Sequence, residues 1–324
     1  MQIWKESERN KAMKVFVTGA NGFVGKHLIA ALSQRGHEVF AGVRQTMCDV
    51  PPSVKVYQYN LLHDEELYRL LKDIQPDGII HLASQSKVSD SWKDPVATFT
   101  VNTFGTIRLM QAAKQAVPKA KIITVGSSEE YGLTGKSIQP LTEEHPCQPQ
   151  NPYASSKLAM GQIALQLAKK NNLHVIHVRP FNHFGPGQEP GFVISDFASQ
   201  IANIENNFSS PILKVGDLSA IRDFTDVRDV IKAYILLLEK EINTGIYNIC
   251  SGITHSINSI LDDLLNMSAK PIQVEIDQGR FRPSEVPLFS GSMEKLNKAT
   301  GWTPQIPFQT SLLDTLHFWR MRIQ

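Results

Sequence analysis

Tyr153 and Lys157, in the run Tyr153-Ala154-Ser155-Ser156-Lys157, have residue types and a spacing that suit proton transfer. On a helix, side chains four apart share one face. An ammonium near a phenol favours the phenolate, so Tyr153 can exchange a proton with a carbonyl or an alcohol near neutral pH. Upstream lies Gly126-Ser127-Ser128-Glu129-Glu130-Tyr131-Gly132, in which the Ser127 hydroxyl is placed to bond a reacting oxygen. Tyr-x-x-x-Lys is common by chance, so its weight depends on where the fold puts it.

The elements are read from the alternation of apolar runs. Lys14–Thr18 is a β-branched strand, Lys26–Arg35 a helix closed by Gly36, and His37–Val43 a second strand. Strands follow at Val54–Tyr59, Gly78–Leu82, Lys121–Val125 and His174–Val178. Helices are expected at Asp64–Asp73, Pro95–Ala116 and Pro152–Lys170. Such alternation predicts an α/β fold with a parallel sheet covered on both faces. Ser127 then lies just past the fifth strand and Tyr153 opens the next helix, at the end of the sheet where ligands bind in such folds. After Arg179 the pattern changes. A Gly/Pro/Asn-rich loop is expected at Pro180–Pro190, with helices at Val193–Glu205 and Val227–Glu239. A strand is expected at Ile212–Val215, another before Asn248, and a loop at Gln278–Pro287.

Between the first strand and its helix runs Gly19-Ala20-Asn21-Gly22-Phe23-Val24-Gly25, with glycines at GxxGxxG spacing. At a first βα turn, that pattern lets backbone approach a pyrophosphate and aims a helix N-terminus at it. The fold class is therefore a Rossmann-type doubly wound sheet with a smaller C-terminal α/β domain. Gly19, Asn21, Gly22, Phe23, Val24 and Gly25 are the expected cofactor contacts. The second strand ends in Val43-Arg44-Gln45, with no acid for a ribose 2′-OH but with a guanidinium suited to a 2′-phosphate. Arg44 thus points to NADP(H). The expected domains are a flexible tail at 1–12, a cofactor domain at 13–180 with elements returning at about 226–252, and a substrate domain at 181–225 and 253–324.

Bulk composition narrows the field. The chain has 324 residues, 42% of them hydrophobic, and a formal charge of +2. That balance gives no electrostatic footprint for nucleic acid or an anionic membrane. Cys48, Cys147 and Cys250 form no CxxC pair, so neither a zinc site nor a disulfide framework is expected, and no other metal site is expected. Residues 1–14 lack the apolar stretch of a signal peptide, no long apolar run follows, and Met13 is an alternative start. A cytoplasmic protein with reduced thiols is expected.

The glycine loop, the strand-end serine and Tyr-x-x-x-Lys, together with His81-Leu82-Ala83-Ser84 and Asn102, resemble the extended short-chain dehydrogenase/reductase family over residues 13–320. Four further segments are similar to its GDP-sugar branch, above all to the GDP-6-deoxy-D-lyxo-4-hexulose reductases. They are Arg179-Pro180-Phe181-Asn182-His183-Phe184-Gly185-Pro186-Gly187-Gln188, Gly216 with Arg222-Asp223-Phe224-Thr225-Asp226-Val227-Arg228-Asp229, Tyr247-Asn248-Ile249-Cys250-Ser251-Gly252, and Arg282-Pro283-Ser284-Glu285-Val286-Pro287 with Gly301-Trp302. The resemblance implies that Asn60, Leu61, Leu82, Ala83 and Pro180 complete the cofactor site with Tyr153 and Lys157. Asn60 stands where many relatives have Asp.

The resemblance also implies that Asn182, Val193, Gly216, Arg222, Arg282 and Glu285 hold a nucleotide sugar. Two arginines suit its pyrophosphate, and the Glu285 carboxylate suits guanine N–H groups or ribose hydroxyls. An internal pair with Asp226 is the alternative for Arg222. The implied reaction is NADPH-dependent reduction of GDP-4-keto-6-deoxy-D-mannose to GDP-D-rhamnose, with Tyr153 as proton donor, Lys157 tuning it and Ser127 positioning the oxygen. The rivals are a GDP-mannose 4,6-dehydratase, for which Glu129 is the candidate base, a UDP-sugar 4-epimerase, and a non-catalytic NADP-sensing regulator. A homodimer through a four-helix bundle of the Pro95–Ala116 and Pro152–Lys170 helices is implied, with Phe99, Leu109, Ile163 and Leu167 serving either that interface or the core.

Overall fold

A strand covered on both faces must be apolar on both, and Val15, Phe16 and Val17 of the first strand are all fully buried. The computed structural model describes residues 11–46, 50–279 and 286–323. In chain order the elements are β1 (Lys14–Thr18), α1 (Phe23–Gln34), β2 (Glu38–Val43), β3 (Lys55–Gln58), α2 (Asp64–Ile74), β4 (Gly78–His81), α3 (Val88–Lys93), α4 (Pro95–Phe99), a π-helical turn (Thr100–Phe104), α5 (Gly105–Ala116) and β5 (Lys121–Val125). Two 3₁₀ turns follow at Ser128–Tyr131 and Leu133–Lys136, then α6 (Pro152–Asn171), β6 (His174–Pro180), β7 (Asn182–Phe184), α7 (Val193–Glu205), β8 (Ile212–Val215), β9 (Ile221–Asp226), α8 (Val227–Glu239) and β10 (Gly245–Ile249). The chain continues with β11 (Thr254–Ser256), α9 (Ile257–Asn266), β12 (Gln273–Ile276), β13 (Leu288–Phe289), α10 (Glu294–Thr300) and α11 (Phe308–Ile323).

The chain divides into two units. The first comprises Met1–Gly126, Asn151–Val178 and Ile231–Ile246. Its parallel sheet has seven strands in the order β10-β6-β5-β4-β1-β2-β3. The order reverses between β1 and β4, whose last paired residues are Thr18 and His81. That is the switch point at which such sheets bind ligands. One core cluster packs α2, α5 and α6 on the sheet through Phe16, Leu67, Leu109, Ile122, Ala164 and Val175. The opposite end of the unit is tied by charge. Glu239 takes Arg35 Nη2 at 2.7 Å and His37 Nε2 at 2.9 Å, and its side chain is fully buried. Nearby, Lys121 Nζ donates to the Leu238 carbonyl at 2.9 Å, satisfying a group that the end of α8 leaves unpaired.

The second unit comprises Ser127–Gln150, Arg179–Val230 and Tyr247–Gln324. Here β9 is the hub: β11 pairs with it antiparallel, β13 and β7 parallel, while β8 and β12 form a separate ribbon. Helices α7, α9 and α11 share a core around Phe197, Ile201, Leu261 and Leu316.

Several expectations are corrected. Residues 127–150 belong with the second unit because their long-range partners are there: Leu141 bridges to Gly291 and the Tyr131 hydroxyl donates to Asn248. Of the returning segment at about 226–252, only Ile231–Ile246 joins the first unit. The loop expected at Pro180–Pro190 contains β7, fixed by its ladder with β9. The helix expected at Pro95–Ala116 is interrupted by the π turn. Of the residues expected in either the interface or the core, Leu109 is fully buried in the core. The tail at 1–12 lies almost wholly outside the described residues, as does Cys48. Among the described residues, no helix is long and apolar enough to cross a membrane.

Candidate active site

The glycine loop is built for close approach. Gly19 has φ +66°, and a Cβ there would lie 2.7 Å from the Ala83 amide nitrogen. A Cβ on Gly25 would lie 2.5 Å from the Gly19 carbonyl oxygen, so glycine lets α1 start against the turn. Helix α1 begins after Gly22 with no side-chain cap and no acid in its first turn. Neither a cap nor a first-turn acid thus competes for its N-terminal dipole, an arrangement that suits an anion. Arg44 is exposed at the end of β2. Past β3, the Asn60 side-chain oxygen accepts the Leu62 amide at 3.0 Å, so it first serves its own turn. Leu61, Leu82 and Ala83 are half-buried, and Pro180 is buried at the end of β6. The close-packed glycine turn and the uncapped start of α1 suit a pyrophosphate.

Tyr153 stands in the first turn of α6. Asn151 caps that helix by accepting the Ala154 amide at 2.8 Å, and Pro152 occupies a position that needs no donor. Lys157 is 3% exposed, with its Nζ donating to the Val125 carbonyl at 2.8 Å and lying 5.9 Å from the centre of the Tyr153 ring. The ammonium and the phenol thus share a face, as the spacing predicts.

Beneath them runs a buried hydrogen-bond network. Ser156 Oγ donates to the Tyr153 carbonyl at 2.7 Å and accepts from Asn102 Nδ2 at 2.9 Å. Asn102 lies in the π turn and exchanges hydrogen bonds with the backbone of Gln85. Thr106 Oγ1 donates to the Asn102 carbonyl, so its oxygen accepts the His81 Nε2 proton at 3.0 Å. His81 Nδ1 then accepts from Thr18 Oγ1 at 2.7 Å, and Thr18 accepts the Ala83 amide at 3.1 Å. Burial, helped by Lys157, pushes His81 down to about 3, in keeping with this neutral tautomer. The network joins the floor of the glycine loop to the helix that carries Tyr153. Thr18, Thr106 and Ser156 are small hydroxyl residues with no spacing signal of their own, and sequence reasoning missed them.

The second unit brings Ser127, Glu129 and Arg222 together. Ser127 is buried, and its Oγ accepts the Glu129 amide at 3.2 Å. The Glu129 carboxylate is exposed and lies within electrostatic reach of Arg222. Burial lowers the Arg222 pKa, while Glu129 and Asp217 work to raise it. Arg222 Nη1 donates to the Ile221 and Pro287 carbonyls at 2.8 and 3.1 Å. Asp226 is held by Arg228, at 2.7 Å, so the internal pair considered for Arg222 is made by a different arginine. Asn182 reaches the same sheet through β7, Val193 opens α7, and Gly216 follows β8. Arg282 and Glu285 lie outside the described residues. Sequence reasoning also missed Glu130, a fully buried acid whose signal was the Ser-x-x-Glu spacing of Ser127 and Glu130, a capping-box pattern.

The family model described as GDP-mannose 4,6 dehydratase matches residues 16–315. A GDP-6-deoxy-D-mannose reductase from Pseudomonas aeruginosa is 36% identical, over 96% of this chain and 98% of its own length. A GDP-6-deoxy-D-talose 4-dehydrogenase from Aggregatibacter actinomycetemcomitans is 29% identical, over 89% and 92%. Among solved structures, that of RMD from Pseudomonas aeruginosa complexed with NADPH has a TM-score of 0.85 at 35% identity, covering 96% of this chain and 100% of that one.

Proposed function

From the premise that the chain belongs to the GDP-mannose 4,6 dehydratase family, we propose that it reduces the 4-keto group of GDP-4-keto-6-deoxy-D-mannose with NADPH, giving GDP-D-rhamnose. The observation that carries this reading is the end-to-end likeness to a GDP-6-deoxy-D-mannose reductase, and the Lys157 ammonium beside the Tyr153 ring supports it.

When bound, NADPH supplies a hydride to C4 of the sugar. Gly19, Asn21, Gly22, Phe23, Val24 and Gly25 hold the dinucleotide's pyrophosphate, and Arg44 holds the 2′-phosphate. Asn60, Leu61, Leu82, Ala83 and Pro180 line the rest. Tyr153 gives its proton to O4 as the ketone becomes an alcohol, and Lys157 stabilises the phenolate left behind. Ser127 donates a hydrogen bond to O4 and orients the carbonyl. Asn182, Val193, Gly216, Arg222, Arg282 and Glu285 hold the GDP-sugar, with the guanidinium groups on its pyrophosphate. The test is to supply the purified protein with the 4-keto sugar and NADPH and follow absorbance at the reduced nicotinamide band. Oxidation of one NADPH per sugar reduced is expected. Binding of the sugar without oxidation contradicts the reading.

Glu129 favours one second reading, elimination by a GDP-mannose 4,6-dehydratase, because an exposed carboxylate stands two residues past Ser127. Incubation with GDP-mannose and no added reductant separates the two: a dehydratase turns over without net consumption of cofactor. We further propose a cytoplasmic homodimer through a four-helix bundle. In support, Trp92, Val96 and Phe104 are 63%, 74% and 54% exposed along the stretch from α3 to the π turn.

A further inference from the structure

We propose that Glu130 and Arg179 are positioning residues for Ser127. In this inference, which rests on the role given above to Ser127, the Glu130 carboxylate bridges the Ser127 amide to a buried guanidinium and so fixes where the hydroxyl points. Glu130 Oε1 accepts the Ser127 N–H at 2.9 Å, and Oε2 accepts Arg179 Nε–H at 2.8 Å. Ser127 is thereby held extended, at φ −160° and ψ 150°, at the mouth of a 3₁₀ turn only four residues long. The Glu130 amide donates back to the Ser127 carbonyl at 3.2 Å, closing the loop on both sides. With its Oγ already accepting the Glu129 amide, the hydroxyl serves an incoming oxygen as a donor.

The guanidinium is itself located. It lies 4.7 Å from the centre of the Tyr131 ring, and the Tyr131 hydroxyl donates to Asn248 Oδ1 at 2.7 Å. Glu130 is fully buried and Arg179 is 4% exposed. A buried ion pair stabilises little more than apolar residues of the same volume. Here Arg179 Nη1 is buried with no hydrogen-bond partner among the described residues, which weakens the stability argument further. What the pair does supply is a fixed frame for one backbone amide, that of Ser127.

Two variants test this. Glu130→Leu combined with Arg179→Met removes both charges together, so no lone buried charge is left to unfold the unit. Glu130→Gln alone keeps an acceptor for the Ser127 amide. The double variant is expected to fold, to keep its NADPH dissociation constant within twofold, and to lose tenfold or more in kcat. Glu130→Gln is expected to fall between it and wild type. Adding Ser127→Ala to the double variant is expected to cost nothing further, since both changes act through one hydroxyl. Amide hydrogen exchange over residues 127–132 is expected to speed up tenfold or more in the double variant, without substrate present. A folded double variant with wild-type kcat and wild-type protection overturns the proposal, as does a loss that multiplies with that of Ser127→Ala. If the wild-type protein oxidises no NADPH with the keto sugar, the functional reading fails, and the exchange measurement still decides whether Glu130 holds Ser127.

Discussion

At the scale of single residues, the proposed chemistry turns on a phenol whose ammonium neighbour is anchored to the backbone. Lys157 donates to the Val125 carbonyl, so its charge is fixed relative to the strand end beside which Tyr153 sits. Tyr153→Phe removes the proton donor and leaves the helix cap at Asn151 untouched. It is expected to lower kcat by roughly 10²–10⁴-fold. The NADPH dissociation constant, measured by quenching of protein fluorescence, is expected to stay within a fewfold. Arg44 tests the cofactor assignment separately. Arg44→Ala is expected to raise KM for NADPH tenfold or more while leaving that for NADH nearly unchanged, because only the former carries the phosphate. An unchanged NADPH/NADH ratio in kcat/KM contradicts the assignment. The shared face of Tyr153 and Lys157 was legible in the sequence because it follows from their spacing on a helix. Glu130 was overlooked because its neighbour Glu129 offered the more reactive-looking acid, although only Glu130 carries the capping spacing to Ser127.

At the scale of elements, periodicity located the βαβ repeats and failed where a side chain's partner lies far along the chain. The π turn at Thr100–Phe104 adds a residue to a helix whose apolar spacing still reads as helical, yet it is this turn that carries Asn102 into contact with Gln85 and Ser156. Strand β9 carries Asp223 and Asp226, which alternation does not read as buried. Asp223 is satisfied by the Ser251 and Gly252 amides and Asp226 by Arg228, contacts with no sequence signature. The clamp of Glu239 on Arg35 and His37 is of the same kind, and it carries a pH prediction. Burial would raise the Glu239 pKa, but its hydrogen bonds to His37 and Arg35 outweigh that and bring it from 4.5 to about 2. Its stabilisation is therefore fully present above pH 4.5 and is lost as pH falls through about 2. The amount is about 3 kcal/mol at most. Denaturant unfolding followed from pH 6 to 2 is expected to show this loss in wild type and a shallower one in Glu239→Gln. Equal slopes would remove Glu239 from the account.

At the scale of the whole molecule, the residues assigned to the proposed reaction are divided between the two units. The first unit carries the glycine loop and the Tyr153–Lys157 pair; the second carries Ser127, Glu129, Arg222 and most of the segments proposed to hold the sugar nucleotide. The division itself was only partly legible, since residues 127–150 follow β5 directly in sequence and yet make their long-range contacts in the second unit. The proposed dimer belongs to this scale. Val96→Asp with Phe104→Asp places two charges on the exposed apolar stretch and is expected to convert a dimer into a monomer in light scattering, while a wild-type protein that is already monomeric contradicts the dimer. The central claim, hydride delivery to C4 with Tyr153 supplying the proton, is tested most directly by isotope. The protein is given GDP-4-keto-6-deoxy-D-mannose and NADPH carrying deuterium at both nicotinamide C4 positions, and the sugar is read by NMR. One deuterium at C4 of a GDP-6-deoxyhexose with rhamnose configuration, formed roughly 10²–10⁴-fold more slowly by Tyr153→Phe, is the result expected; unlabelled sugar, or label at any other carbon, would contradict it.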